Sequence, residues 1–200
     1  MRVIVARMEP LIAWTFVTLM TLSPYAKQGA KYETEAEYED RVASIARDMV
    51  EVVERSEPLP GLTKAETLAL VITTADAESS GFRYDVDKGL PSGLGDHGQS
   101  FCIMQIRARK GTVRTHDPVA RRWKGADLIA DRDKCLAAGV AMLRDSMLWC
   151  AGKGAKEGAL ISAYTVGKCR AHEPVAARRW ALAKSPRFAR GASLILARNP

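Results

Sequence analysis

Apolar residues recur at three- and four-residue intervals along much of the chain, which is the spacing of one face of an α-helix. The segments with this spacing are residues 38–53, residues 68–78 and residues 136–147. A shorter helix is expected over residues 156–165. Pro174 and the Ser185-Pro186 pair each suit the first turn of a terminal helix. The pattern therefore predicts a mainly α protein.

Residues 82–106 break this helical pattern. Glycines and other turn-forming residues dominate the segment, and its one strand-like stretch is SFCIMQI, residues 100–106. Residues 107–131 are expected to be rich in loops. The sequence thus indicates an α+β arrangement in which a helical domain carries a small β-hairpin region beside one of its helices.

Glu78 is an acidic residue on an apolar helix face. Thr63 and Glu66 form a capping-box pattern, so this helix is expected to begin near Lys64, and Gly81 is a natural stop. The stripe that Glu78 continues consists of Leu68, Val71, Ile72 and Ala75. Burial and the negative end of the helix dipole both raise a carboxyl pKa, so Glu78 suits proton donation. The alternative is a surface glutamate at a frayed helix end.

The first residues of the chain are typical of an export signal. Arg2 and Arg7 precede an apolar run from Leu11 to Leu22, which has the length of a signal-peptide core and is short for a membrane span. We expect residues 1–26 to be a signal peptide or an uncleaved anchor, and this segment to make the protein's only membrane contact. Residues 27–60 then form an N-terminal helix and linker, and residues 61–200 form the main domain. The expected location is the periplasm or cell envelope, or outside the cell.

The four cysteines favour an oxidising compartment. They form no CxxC pair, and the three histidines are not spaced to complete a zinc site, so neither a metal nor another cofactor is expected. Two disulfides among Cys102, Cys135, Cys150 and Cys169 allow three connectivities, of which pairing in chain order is preferred. The alternative is four buried thiols in a reducing cytosol.

The net charge of +7 does not by itself indicate nucleic-acid binding. Residues 33–57 are acidic, and the positive excess lies in residues 107–124 and 168–198 without interleaved aromatic residues or a recognised binding motif. A basic surface equally suits an anionic cell wall or membrane. We therefore expect no nucleic-acid partner, and keep a basic nucleic-acid-binding helical protein only as a minor alternative.

Three segments of the chain, AESSGF, GDHGQSFCIMQI and GALISAYTVG, resemble in order the signature segments of goose-type lysozymes and the related lytic transglycosylases. They span residues 76–168. The resemblance implies a lysozyme-like fold in which Glu78 is the catalytic residue. It also implies a sugar groove lined by Ile103, Met104 and Gln105, and a tyrosine beside the glutamate, Tyr164.

The chain departs from this family pattern at three positions. Cys102 stands where the family has a glycine, and Thr165, also expected to contact substrate, replaces an asparagine. Asp96 matches one family aspartate and is a possible auxiliary residue, but Arg107 occupies the position of a second one. Because a carboxylate that could activate water is missing there, the pattern favours the transglycosylase route over hydrolysis.

The resemblance implies cleavage of the β-1,4 bond between N-acetylmuramic acid and N-acetylglucosamine in peptidoglycan glycan strands, with a 1,6-anhydro product. We expect the protein to be a monomer. A goose-type lysozyme that hydrolyses the same bond is one alternative. A wall-binding or assembly protein that keeps the groove without the activity is another.

Ser79 and Ser80 are expected to cap the helix end. His97 and the Arg178-Arg179 pair are expected to lie on solvated surfaces.

Overall fold

The computed structural model describes residues 8–28, 31–186 and 188. The helices are α1 (Pro10–Leu22), α2 (Tyr25–Gln28), α3 (Glu35–Arg55), α4 (Lys64–Glu78), α5 (Tyr84–Asp87), α6 (Gly125–Ala130), α7 (Arg132–Ala151), α8 (Ser162–Val166) and α9 (Pro174–Ala183). Short 3-10 helices occupy Pro91–Gly93, Ala120–Arg122 and Glu157–Ile161. Three strands, β1 (Ser100–Phe101), β2 (Ile106–Arg109) and β3 (Thr112–Val113), form an antiparallel sheet in the order β1-β2-β3. The prediction of a mainly α protein with a small β region is confirmed.

Helix α4 lies at the centre of the fold and begins where the sequence predicts. The Thr63 hydroxyl accepts a hydrogen bond from the Glu66 amide at 3.2 Å, and the Glu66 carboxylate accepts one from the Thr63 amide at 2.8 Å. Ala65 and all nine residues from Thr67 to Ala75 are buried. Helices α3, α7 and α9 all pack against α4, so it is surrounded by apolar neighbours and its C-terminal end is fixed in position.

A largely buried group of ion pairs joins α3, α5 and α7. Arg132 donates to Asp87 at 2.8 Å and to Asp48 at 2.5 Å, and the Arg41 guanidinium lies 3.7 Å from Asp87. Arg41 also donates to the Phe82 carbonyl oxygen at 2.9 Å, just after α4. Because removing one partner from a buried pair leaves an uncompensated charge, these contacts hold the segment after α4 firmly against the helices.

The stretch SFCIMQI is not a continuous strand. Residues 102–105 form a turn between β1 and β2, with φ of +61° at Cys102 and +46° at Gln105. Such dihedrals are incompatible with extended backbone, so the chain reverses within the stretch and pairs with itself. Residues 107–131 are more regular than expected, since they contain most of β2 together with β3 and α6.

Helix α1 contains the apolar run expected to be the core of an export signal, and it packs against α3 as part of the hydrophobic core. Phe16 and Leu19 are fully buried. After the helix, the Ser23 carbonyl oxygen accepts a hydrogen bond from the Tyr38 hydroxyl, and the Ser23 hydroxyl donates to Asp76 at 2.7 Å. None of the helices in the described ranges is both long and apolar enough to cross a membrane.

The C-terminal part begins as the sequence predicts. Pro174 is the first residue of α9, and the preceding Glu173 side chain caps the helix by accepting from the Val175 amide at 3.1 Å. The second terminal helix, expected from Ser185-Pro186 onward, falls mostly outside the described residues.

Candidate active site

Glu78 is the last residue of α4 and lies at the wall of a cavity of about 540 Å³. Its side chain is 21% exposed, so the carboxyl group is mostly removed from solvent but open to the cavity. The other residues that line the cavity are Gly95, Asp96, Ser100, Gln105, Arg107, Arg109, Arg114, Met142, Ala163, Tyr164, Thr165, Val166 and Gly167. All three sequence segments of the family resemblance therefore contribute residues to one cavity.

Arg179 of α9 forms an ion pair with Glu78, and the sequence did not indicate this pair. Its Nη1 donates to Glu78 Oε1 at 2.7 Å, and its side chain is only 9% exposed. The expectation of a solvated surface is right for Arg178 but wrong for Arg179. The helical spacing of Ala176, Arg179 and Ala183, all buried, is the signal that could have identified it.

The pKa of Glu78 is raised above the ordinary carboxyl value. Burial is the main cause, because it disfavours the charged form. The positive charge and hydrogen bond of Arg179 act in the opposite direction, and the negative charge of Asp96 adds to the increase. Glu78 Oε2 makes no hydrogen bond to any residue in the described part of the chain, so this oxygen is available to carry a proton.

The segment with Ile103, Met104 and Gln105 meets the cavity only through Gln105. The side chains of Ile103 and Met104 are fully buried and are not among the residues that line the cavity. Met104 packs so closely on Gly139 of α7 that a Cβ there would lie 2.5 Å from its Cε. In this geometry neither side chain can reach a sugar, which differs from the expected contact with substrate. Gln105 Nε2 donates to the Gly93 and Cys102 carbonyl oxygens, both at 3.2 Å.

Cys102 occupies the left-handed conformation that a glycine adopts without strain, and a disulfide to Cys135 of α7 fixes it there. The second disulfide joins Cys150, at the end of α7, to Cys169. The preferred chain-order pairing is thus confirmed. The first bridge anchors the turn that presents Gln105, and the second anchors the segment that follows α8.

Tyr164 lies in α8 and lines the cavity with Glu78. Its hydroxyl donates to the Met104 carbonyl oxygen at 2.6 Å, and its amide donates to the Ser146 hydroxyl at 3.0 Å. Burial and the nearby Glu78 charge raise the pKa of Tyr164, so the phenol stays neutral. The next residue, Thr165, also lines the cavity and donates to the Ile161 carbonyl oxygen at 3.3 Å.

Asp96 belongs to the GDHG turn, where Asp96, His97 and Gly98 all have positive φ. Its carboxylate accepts from the Ser100 hydroxyl at 2.9 Å and lies 3.7 Å from Arg107 Nε. Asp96 is exposed at the cavity, and His97 is exposed as expected.

Ser79, which follows Glu78, caps the end of α4 as expected. Its hydroxyl accepts a hydrogen bond from the Phe82 amide at 2.7 Å and donates one to the Ala75 carbonyl oxygen.

Three arginines on the β2–β3 hairpin complete the cavity wall: Arg107, Arg109 and Arg114. They belong to the positive excess of residues 107–124, within which the family resemblance had related only Arg107 to the site. Arg114 also lines an adjoining cavity of about 560 Å³, which shares Tyr164 and includes the exposed Trp149. The two cavities therefore form a continuous surface that is longer than the immediate surroundings of Glu78.

Comparisons of the chain with protein-family models, with curated proteins and with solved structures found no match. The family resemblance consequently rests on the three motif segments and on their convergence at one cavity.

Proposed function

We propose that the protein is a peptidoglycan lytic transglycosylase, which cleaves the β-1,4 bond between N-acetylmuramic acid and N-acetylglucosamine and forms a 1,6-anhydro product. The observation that carries this proposal is the position of Glu78, a mostly buried carboxyl group with a raised pKa, in a cavity that all three motif segments line. A carboxyl group in this setting suits general acid catalysis at a glycosidic oxygen.

The first step uses protonated Glu78 as the acid. The proton on its free oxygen moves to the bridging oxygen, the bond from that oxygen to the muramic anomeric carbon breaks, and an oxocarbenium-like centre develops. Arg179 hydrogen-bonds to the other oxygen of Glu78, so it stabilises the carboxylate that the transfer leaves behind. The N-acetylglucosamine end then departs as an alcohol.

In the second step the Glu78 carboxylate acts as the base. It takes the proton from the muramic 6-hydroxyl while that oxygen bonds to the anomeric carbon, which closes the 1,6-anhydro ring. Glu78 is protonated again at the end of the cycle, and no water is consumed. One carboxyl group therefore serves both steps, so a second carboxylate at the Arg107 position is not required.

The two disulfides are compatible with a protein that works in an oxidising compartment, and we place its action in the periplasm or cell envelope or outside the cell. Peptidoglycan is found there. The net charge of +7 also suits attraction to an anionic wall.

A goose-type lysozyme activity is the second candidate, and Asp96 is the residue that favours it. Asp96 lies at the same cavity as Glu78, and its charge contributes to the raised Glu78 pKa. If Asp96 positioned a water molecule for attack on the anomeric carbon, the product would have a reducing end rather than an anhydro ring.

A wall-binding protein without activity is the third candidate, favoured by the Glu78–Arg179 ion pair. An arginine partner stabilises the ionised form of a carboxyl group, which cannot donate a proton. The same groove would then hold a glycan without cleaving it.

The proposal is tested by solubilisation of purified peptidoglycan sacculi with the wild type and with Glu78→Gln. The amide keeps the shape of the side chain and can accept the Arg179 hydrogen bond but cannot donate a catalytic proton, so activity should fall about 10²- to 10⁴-fold. Glu51→Gln, at an exposed position of α3, is the matched control and should keep full activity. Activity of Glu78→Gln above about a tenth of wild type would remove Glu78 from the mechanism.

A further inference from the structure

The β2–β3 hairpin places three arginines on one face. Along β2 the buried Ile106 and Ala108 alternate with the exposed Arg107 and Arg109. Arg109 pairs with Thr112, and Ala108 pairs with Val113. Arg114 follows Val113 and is exposed, so by strand alternation it lies on the same side as Arg107 and Arg109. We call this surface, formed by Arg107, Arg109 and Arg114, the arginine face.

Within the described part of the protein, the charges of the arginine face are poorly compensated. Arg107 lies 3.7 Å from Asp96 and donates to Gln99 at 3.4 Å. The guanidinium groups of Arg109 and Arg114 make neither an ion pair nor a hydrogen bond to any described residue. Like charges on neighbouring strands destabilise a hairpin. The fold itself therefore gains nothing from this arrangement, which indicates an external anionic ligand.

The arginine face borders the cavity of Glu78. All three arginines line it, together with Gln105 and Tyr164. A ligand that places a glycosidic bond at Glu78 consequently brings its neighbouring groups next to three cations. Guanidinium groups bind carboxylates through paired, charge-assisted hydrogen bonds, and Arg109 and Arg114 have all their donors free for this purpose.

We propose that the arginine face binds carboxylate groups of the peptides attached to the glycan strand, so that peptide-bearing peptidoglycan is the preferred substrate. This inference rests on the proposed function and adds to it a substrate preference. Charge provides the selectivity, because an uncharged sugar gains little from a guanidinium group, whereas a carboxylate gains a short ionic hydrogen bond in a partly enclosed cavity.

The test compares native sacculi with sacculi whose carboxyl groups have been converted to methylamides, which keeps the peptides but removes their negative charge. The variants are Arg109→Gln/Arg114→Gln and the matched control Arg121→Gln/Arg122→Gln, which removes two positive charges at exposed positions outside the cavity. The readouts are the rate of muropeptide release and co-sedimentation of each protein with the sacculi, the latter also in the Glu78→Gln background.

Amidation should lower release and binding by the wild type about tenfold or more, since hydrogen bonds to charged groups are strong. Arg109→Gln/Arg114→Gln should show a similar loss on native sacculi and a much smaller further loss on amidated sacculi, because only Arg107 of the arginine face remains. The control should respond to amidation like the wild type. Raising the salt to 1 M should reduce these differences, because it screens charges to about 3 Å.

The inference is overturned if the wild type releases and binds both materials equally, or if Arg109→Gln/Arg114→Gln loses no more than the control. It is also overturned if this variant loses as much on amidated as on native sacculi, because the arginines would then not act through carboxylates. Failure of the proposed function looks different: the wild type would release nothing from either material, while charge-dependent sedimentation could still be measured.

Discussion

Glu78 is subject to two opposing influences that together decide whether it can act as an acid. Burial at the end of α4 raises its pKa, and the ion pair with Arg179 lowers it. The net result is a raised pKa, which favours the protonated form that the first step of the proposed mechanism requires. The sequence indicated the burial of Glu78 but not its partner.

Removing the Arg179 charge should move the pH profile in a defined direction. A general acid works only when protonated, so kcat/KM falls as the pH rises through the pKa of Glu78. Arg179→Gln removes the group that lowers this pKa, so the alkaline limb should move to higher pH. The measurement is muropeptide release from sacculi between about pH 4 and pH 9, an interval that brackets the usual carboxyl range.

Arg179→Lys is the control for this shift, because it keeps the positive charge and should leave the alkaline limb near that of the wild type. A limb that stays in place in Arg179→Gln, or that moves to lower pH, would show that Arg179 does not influence proton donation by Glu78.

Asp96 separates the two enzymatic routes. In the transglycosylase route no residue has to activate water, and Asp96 supports the GDHG turn by accepting from Ser100. Asp96→Asn keeps an oxygen acceptor, so most activity should remain. If the protein were an inverting hydrolase, the same change would remove the base and lower the rate about 10²-fold or more. The rate of release from sacculi decides between these outcomes.

At the scale of elements, the turn between β1 and β2 shows how one residue changes a local structure. The apolar residues of SFCIMQI predict a strand, but the positive φ values of Cys102 and Gln105 interrupt the extended backbone within this stretch. The disulfide to Cys135 attaches this turn to α7, and Met104 packs beneath Gly139 of the same helix. Backbone reversals of this kind depend on tertiary partners, so the sequence pattern alone could not place them.

The disulfide and the backbone conformation can be tested separately. Cys102→Ala/Cys135→Ala should lower the free energy of unfolding by about 2–4 kcal/mol through loss of the cross-link. Cys102→Gly/Cys135→Ala loses the same cross-link, but glycine adopts a positive φ without strain, so it should be more stable than the alanine version by about 1 kcal/mol. Urea denaturation of both proteins measures the difference. An alanine version equal to or more stable than the glycine version would contradict this account of Cys102.

At the scale of the whole molecule, the long helices α3, α4 and α7 could be predicted from the spacing of apolar residues, whereas the short helices α2, α5 and α6 could not. The pattern of residues 63–78 predicted where α4 begins and ends and which face is buried. The preferred pairing of the cysteines, in chain order, is also the one in the structure. Arg179 was missed because it lies 101 residues from Glu78 in sequence, and its own helix does not reveal which residue it meets. The arginine face was missed because the alternation along β2 covers only four residues, and the two residues of β3 do not reveal the register that places Arg114 beside them.

The family resemblance also overestimated the contribution of one segment. It grouped Gln105 and Tyr164 with Glu78, and these three residues do line one cavity. It assigned Ile103 and Met104 to the groove, although both side chains are fully buried. A motif specifies which backbone segment lies at a site, whereas side-chain orientation depends on local dihedrals such as those at Cys102 and Gln105.

The mass of the muropeptides released from purified sacculi tests the central claim most directly. An anhydro product is lighter than the corresponding hydrolysed product by one water molecule, so mass spectrometry distinguishes them in a single digest. The account predicts that the wild type releases anhydro-muropeptides and that Glu78→Gln releases almost none. Products with free reducing ends from the wild type, or equal release by Glu78→Gln, would contradict it.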